Sequence, residues 1–263
     1  MKAKKMYLLS SVVLTIFALS NAVPTSAEET IVGGKTNSEG TIKFSSDDGD
    51  GGDGGEGGGI IDPVDPTNPD VEIPDGGGNG GGDIDGPLTI DFVSKIDFGK
   101  RKISGSTQVY HASYNEYLNE EGTTLYLPSF VQVTDDRGKN DGWKLEISNT
   151  QFKDAVTGDI LEGAVLTLGA KNQVYTQNDN GSDHKVSAKG SIVLNGQGTD
   201  QTIVNPVQDK GMGTNTIAFG AQEYGTADAK NSSVTLEVPG KSKKNDQATY
   251  VSELTWTLSQ TEI

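Results

Sequence analysis

The chain contains no cysteine, so neither disulfides nor thiolate metal ligands are available to it. Histidine is almost as scarce. His111 and His184 are the only two, and neither sits in an HExxH or has a second histidine at metal-ligand spacing. Hydrophobic residues make up 33% of the 263 positions and the mean hydropathy is -0.46, which is low for a compact globule throughout. No Gly-x-Ser-x-Gly elbow offers a serine nucleophile. Gly211-Met212-Gly213 has neither the flanking strand nor the GK[ST] of a phosphate cradle. No pair of carboxylates stands in an apolar setting that would raise one pKa for general acid work. These absences leave no catalytic residues, no metal ligands and no cofactor to expect, and a non-enzymatic protein.

Charge of one sign is plentiful instead. The formal net charge is -16, and it becomes -19 once the lysines at 2, 4 and 5 are discounted with the segment that carries them. Residues 28–86 alone hold -13. A surface this acidic repels nucleic acid and anionic lipid, and it suits a secreted protein.

The first 27 residues have the three parts of a secretory signal peptide. Lys2, Lys4 and Lys5 precede an apolar run from 6 to 19, and Thr25-Ser26-Ala27 supplies small residues for cleavage. The run is shorter than the ~20 residues a spanning helix needs, and no later stretch qualifies, so no membrane span is expected. In the segment 28–86, Gly40-Thr41-Ile42-Lys43-Phe44 alternates briefly. It is read either as a strand added to a sheet edge of the main domain or as an unpaired sticky patch. From 45 to 86 the chain is Gly/Asp-rich, with a Pro-Asp section, and is expected to be a disordered, solvated linker. It fails as an EF-hand loop: counting from Asp48, the fifth position is Gly52 and the sixth Asp53.

The folded part is expected over 87–263, as one all-β domain, an antiparallel β-sandwich or partly closed β-barrel. Strand patterns fall at 88–93, 107–112, 125–133, 143–148, 164–168, 191–194, 216–219, 233–238 and 250–258. A helical turn is expected at 114–118 or 227–231. In the last stretch, Tyr250-Val251-Ser252-Glu253-Leu254-Thr255-Trp256-Thr257-Leu258, strand alternation puts Leu254, Trp256 and Leu258 on one face. Trp143, Leu145 and Ile147 repeat the pattern. These two tryptophans are the only ones in the chain. The two strands are expected to pair or face one another, closing the domain from its N-terminal half to its C-terminal half.

An internal Trp-x-Leu together with a distal Tyr-x-x-x-Leu-Thr/Val-Trp-Thr/Ser-Leu resembles the WxL family of cell-surface proteins of low-GC Gram-positive bacteria. The distal motif matches at every position, and Gly40-x-Ile42-x-Phe44 is similar to an N-terminal patch of that family. The resemblance extends to Leu88-Thr89-Ile90-Asp91-Phe92-Val93 and Ile96-Asp97-Phe98-Gly99. It implies an exported protein of the cell surface and cell wall that attaches non-covalently to peptidoglycan through its C-terminal region. Residues 259–263 fit non-covalent attachment, since they carry no LPxTG, apolar tail or basic stop. Surface complexes of such proteins imply a second reading, a structural or adhesive component whose ligand is another surface protein or a host matrix protein.

The motif residues Trp143, Leu145, Tyr250, Leu254, Trp256 and Leu258 are the candidate binding residues, and they have two readings. As core, each buries an apolar side chain worth about 1.5–3 kcal/mol, and each indole N–H needs an internal acceptor. As contacts, the indoles would stack on sugar rings. Leucines at both i-2 and i+2 of Trp256 favour the core reading. Other aromatics that could face a ligand are Tyr110, Tyr114, Tyr117, Tyr126, Tyr175 and Tyr224.

Overall fold

The computed structural model describes residues 34–45, 63–66, 68–73, 88–138, 140–169, 172–176, 184–220 and 225–260. The segment read as a signal peptide and most of the Gly/Asp tract lie outside these residues, as does Tyr224. Among the described residues there is no α-helix, and none long and apolar enough to cross a membrane.

The described residues form eighteen strands in chain order. The first five are β1 (Gly34–Ser45), β2 (Val64–Asp65), β3 (Asn68–Glu72), β4 (Leu88–Val93) and β5 (Ile96–Lys102). Next come β6 (Gln108–Ser113), β7 (Asn115–Leu118), β8 (Thr124–Leu127), β9 (Ser129–Asp135) and β10 (Lys144–Asn149). The middle of the chain gives β11 (Lys153–Asp154), β12 (Val165–Leu168), β13 (Asn172–Thr176) and β14 (Ile192–Leu194). The last four are β15 (Gln201–Val204), β16 (Gly213–Phe219), β17 (Lys230–Val238) and β18 (Thr249–Ser259).

They form three main sheets. The first runs β15-β10-β18-β1-β5, with β11 also on β18; the second runs β14-β12-β17-β6; the third runs β13-β16-β9-β4. All pairs are antiparallel except β1 with β5. Edge strand β5 of the first sheet lies against β6 of the second, and β15 against β14. The sheets therefore curl into a partly closed barrel, with one core that draws Ile42, Leu88, Val131, Leu166, Ile192, Ile217, Leu236 and both tryptophans from all three.

The third sheet is covered on both faces, which explains why every residue of β4 is buried. Val131, Val133 and Ile217 point into the main core, whereas Phe92, Phe130 and Ala218 point the other way. That second face is roofed by two hairpins, β2–β3 and β7–β8, which contribute Ile73, Tyr117 and Leu127 to a smaller cluster. Phe92, Phe130 and Tyr117 meet there at 4.8–6.2 Å between ring centroids.

Three expectations are corrected here. Residues 114–118 do not make a helical turn: β7 extends because Tyr117 must reach the apolar cluster while Glu116 and Leu118 stay outside. At 227–231 a turn covers 227–228, and β17 starts at Lys230. Nor is the whole of 45–86 spacer, because β2–β3 is docked: Ile73 is fully buried and its amide bonds Pro63 O at 2.7 Å. The Val64 amide donates to Gln132 Oε1 at 3.0 Å. Pro128 divides the expected strand 125–133 into β8 and β9, consistent with its missing N–H.

The strand at 34–45 extends the folded part well upstream of Pro87. It is an internal strand, not one added at an edge. β1 pairs with β18 from Gly34↔Leu258 to Lys43↔Thr249 and with β5 from Gly40↔Ile96 to Ser45↔Lys102. Thr36, Ser38, Gly40 and Ile42 are its buried face, and Asn37 and Glu39 are exposed. A Cβ at Gly40 would lie in van der Waals contact with the Phe152 ring at 3.4 Å and with Leu254 at 3.8 Å.

A buried carboxyl ties the hairpin roof to the third sheet. The register slips between Ile90 and Phe92, and the bulge turns Asp91 toward Gln132 and Thr134. Thr89 and Thr134 hydroxyls donate to it at 2.6 Å each, and Gln132 Nε2 at 3.2 Å. Burial pushes the Asp91 carboxyl above the usual carboxylate range, more than these donors lower it. Asp154 is the opposite case: the Thr157 hydroxyl and amide hold it below that range, with help from the Thr249 amide.

Stability measurements should register these placements. Ile42→Ala should lower unfolding free energy by about 2–5 kcal/mol in urea titration, while Asn37→Ala should leave it nearly unchanged. A raised folded-state pKa favours the fold below the ordinary carboxylate pKa, and that contribution is lost as pH rises through the folded value. Melting temperatures of Asp91→Asn should therefore improve relative to wild type as pH climbs from 3 to 7 (roughly the window spanned by a raised carboxylate). Asp154→Asn should show the reverse trend, because a depressed carboxylate stabilises above its unfolded pKa.

Candidate functional site

The six motif residues converge on the middle of the first sheet. β10 and β18 pair directly, with Leu145↔Leu258 and Ile147↔Trp256 in register, so the two Trp-x-Leu segments are neighbours. Along β18, Tyr250, Ser252, Leu254, Trp256 and Leu258 are buried and the residues alternating with them are not. Trp143, Leu145, Tyr250, Leu254 and Leu258 are fully buried, and Trp256 is 1% exposed. No indole face reaches solvent.

Each polar atom of the motif has an internal partner. Trp256 Nε1 donates to Ser38 Oγ of β1 at 2.8 Å, and its ring lies 6.0 Å from that of Phe219 in the third sheet. Trp143 Nε1 donates to Gly211 O at 2.9 Å. The Tyr250 hydroxyl accepts the Asn245 amide at 3.1 Å, fixing the loop that leads from β17 into β18. The motif is thus a set of side chains that seat one strand between two others.

Gly211-Met212-Gly213 has a role in this seating. Gly211 has a φ of +86°, and a Cβ there would overlap the Trp143 indole nitrogen. Asn215 Nδ2 donates to the same Gly211 carbonyl at 2.9 Å and to Gly213 O at 3.0 Å. On the other side of Trp143, Arg137 clamps the incoming turn. Its Nε and Nη2 reach Asp135 at 2.8 Å each, and Nη2 also reaches Gly142 O at 2.8 Å. The pair is almost wholly buried, so removing either partner would strand a charge.

The tyrosines divide. Tyr117 is buried, and desolvation lifts its hydroxyl well above the ordinary tyrosine pKa despite the contact with Ser94 Oγ at 3.3 Å. Tyr110 is half-buried beneath the Arg101 guanidinium at 5.7 Å. Tyr114 packs against Gly225, and Tyr126 is half-buried. Tyr175 lies on β13, paired with Thr216.

Two short runs rich in cations, Lys100-Arg101-Lys102 and Lys241-Ser242-Lys243-Lys244, are partly withdrawn from the surface. Lys244 Nζ turns back onto the carbonyls of Pro239, Gly240 and Ser242 at 3.0–3.3 Å, and desolvation lowers its pKa. Arg101 donates to His111 O at 3.2 Å. His184 Nδ1 is 2.9 Å from Asp209 O. Among the described residues no group of three or more His, Asp or Glu is placed to hold a metal ion. Asp91, the carboxyl with the raised pKa, is sealed under the hairpin roof. Sequence reading missed it, although strand alternation does put it on one face with Thr89.

The two indole hydrogen bonds can be weighed by substitution. Ser38→Ala leaves a buried indole N–H without a partner and should cost about 1–3 kcal/mol. Trp256→Ala should cost about 3–5 kcal/mol. Equilibrium denaturation of both variants gives these values directly. A Trp256→Ala chain that kept the wild-type melting temperature would contradict its placement in the core.

No curated protein and no solved structure matches the chain. One family model does, described as WxL domain surface cell wall-binding, over residues 32–261. The matched region opens just before β1 and closes just after β18, the two strands that lie side by side in the first sheet. It spans nearly the whole chain and agrees with a signature whose residues all seat β18. This protein belongs to the WxL family of surface cell-wall-binding domains, and its place is the cell surface and cell wall.

Proposed function

We propose that the protein binds the peptidoglycan of the Gram-positive wall directly and without a covalent bond. In this reading residues 1–27 are a secretory signal peptide. The Gly/Asp-rich stretches on either side of β2–β3 are solvated spacers, and the remaining chain is the binding domain. The observation that carries it is the family match over 32–261, in a chain whose described mass is almost entirely that one domain. Trp143, Leu145, Tyr250, Leu254, Trp256 and Leu258 act in it by shaping the fold, and the outer surface makes the contact. Buried indoles support this division of labour. The protein works without catalysis: the one described carboxyl with a raised pKa is locked by three donors beneath a hairpin.

A second reading is a structural or adhesive component that binds a surface protein or a host matrix protein. Val109 of β6 and Val193 of β14 favour it, since they are large apolar side chains left about half exposed (51% and 53%).

Co-sedimentation with protein-free peptidoglycan sacculi separates the readings. The sample should start at residue 28, so that β1 is present. Pelleting at both low and high salt is the expected result. Pelleting at low salt alone would assign the attraction to cations such as Lys100, Lys102, Lys241 and Lys243. Absence of pelleting would overturn wall binding in favour of a protein ligand.

A further inference from the structure

β1 is joined to the rest of the first sheet differently from its neighbours. Between Ser45 and the first hairpin strand lie residues 46–63, made mostly of Gly, Asp and Glu, with Ile60, Ile61 and Pro63 at their end. Yet β1 holds an internal position, between β18 and β5. Lifting it out would unpair one side of each, uncover the main core at Ile42 and leave the Trp256 N–H without its Ser38 acceptor. The sheet therefore contains a slot with specific demands. It needs a small residue against Phe152, a hydroxyl within reach of the Trp256 N–H and an aliphatic side chain two residues beyond the small one. Within this chain, Ser38-Glu39-Gly40-Thr41-Ile42 meets them, and every other copy carries the same segment.

We propose that β1 exchanges between copies of the chain, with the β1 of one molecule filling the β18/β5 slot of a second and the reverse, so that neither slot is left empty. The bonds made are the same within one molecule and between two, so the balance depends on concentration and not on new contacts. A tether of this length has a fully extended reach of about 60 Å. A domain of this size has a radius of gyration of about 16 Å. The tether thus spans to the slot of a touching neighbour. Filling the slot from within is concentration-independent and filling it from a neighbour is not, so exchange grows as copies crowd together, as on a surface. Nothing in this depends on which wall polymer or protein the domain binds.

The absence of native cysteine makes the test clean. Asn37 and Thr255 are register partners on the outward face, one exposed and the other half-buried. A chain carrying both Asn37→Cys and Thr255→Cys should form the disulfide internally, which establishes that the geometry allows it. The two single variants, one bearing a mass tag, are then unfolded in urea, refolded together at low and high concentration, and oxidised. Non-reducing electrophoresis and mass spectrometry read the products. Exchange predicts a heterodimer, cross-linked between position 37 of one chain and position 255 of the other, in several-fold excess over either homodimer and rising with concentration. A heterodimer no more abundant than the homodimers at any concentration overturns the proposal. If either single variant fails to reach the wild-type melting temperature, Thr41→Cys and Val251→Cys replace them at the next outward register pair but one.

Discussion

Everything in this fold depends on β18 being hydrogen-bonded on both sides while its inward face is closed by the opposing sheets. Alternation alone gives a strand one apolar face, but a strand this long also presents a row of backbone donors and acceptors that must be met. β10 meets one row and β1 the other, with β11 extending the first toward Tyr250. The signature residues of the family fit this arrangement. Leu254, Trp256 and Leu258 fill the core, the Trp256 N–H fixes β1 in register, and the Tyr250 hydroxyl fixes the preceding loop. The buried side chains of the motif hold one strand in place.

Polar groups do as much of the specifying as apolar ones. Ser38 and Asp91 are buried, and their bonds to Trp256, Gln132 and Thr134 join strands that an apolar face would leave free to slide, while Asn215 and the Asp135–Arg137 pair fix the turns next to Trp143. A buried polar atom without a partner is costly, so each link tolerates few alternatives. In a chain without disulfides, these links supply the discrimination between registers that an apolar face alone leaves loose.

Some of this was legible in the residues. The face of β18 followed from a period of two, and the pairing of the Trp-x-Leu strands from their shared pattern and the need to close the sheet. The all-β class followed from short strands divided by turn residues. β1 was half legible: Gly40-x-Ile42-x-Phe44 alternates, but Gly34 to Glu39 is polar or small, and Ser38 is inside only because an indole 218 positions away donates to it. No local rule sees such a partner. The β2–β3 hairpin was hidden for a similar reason, since Val64 and Ile73 are the apolar residues anchoring it in a stretch dominated by Pro and Asp. Tyr117 misled because four residues are too few to tell a strand from a turn of helix.

The register of β1 on β18 also fixes how the domain would respond to being pulled. Gly34 is paired with Leu258, so the chain enters and leaves the sheet at adjacent points of the same end. Tension between those two points loads the last hydrogen-bonded pair first and opens the ladder one rung at a time, like a zip. Tension between β1 and the end of β5 acts differently, because parallel strands pulled from opposite ends share the load across all their bonds at once. A strand held between an antiparallel and a parallel neighbour is therefore weak along one line of force and strong along the other.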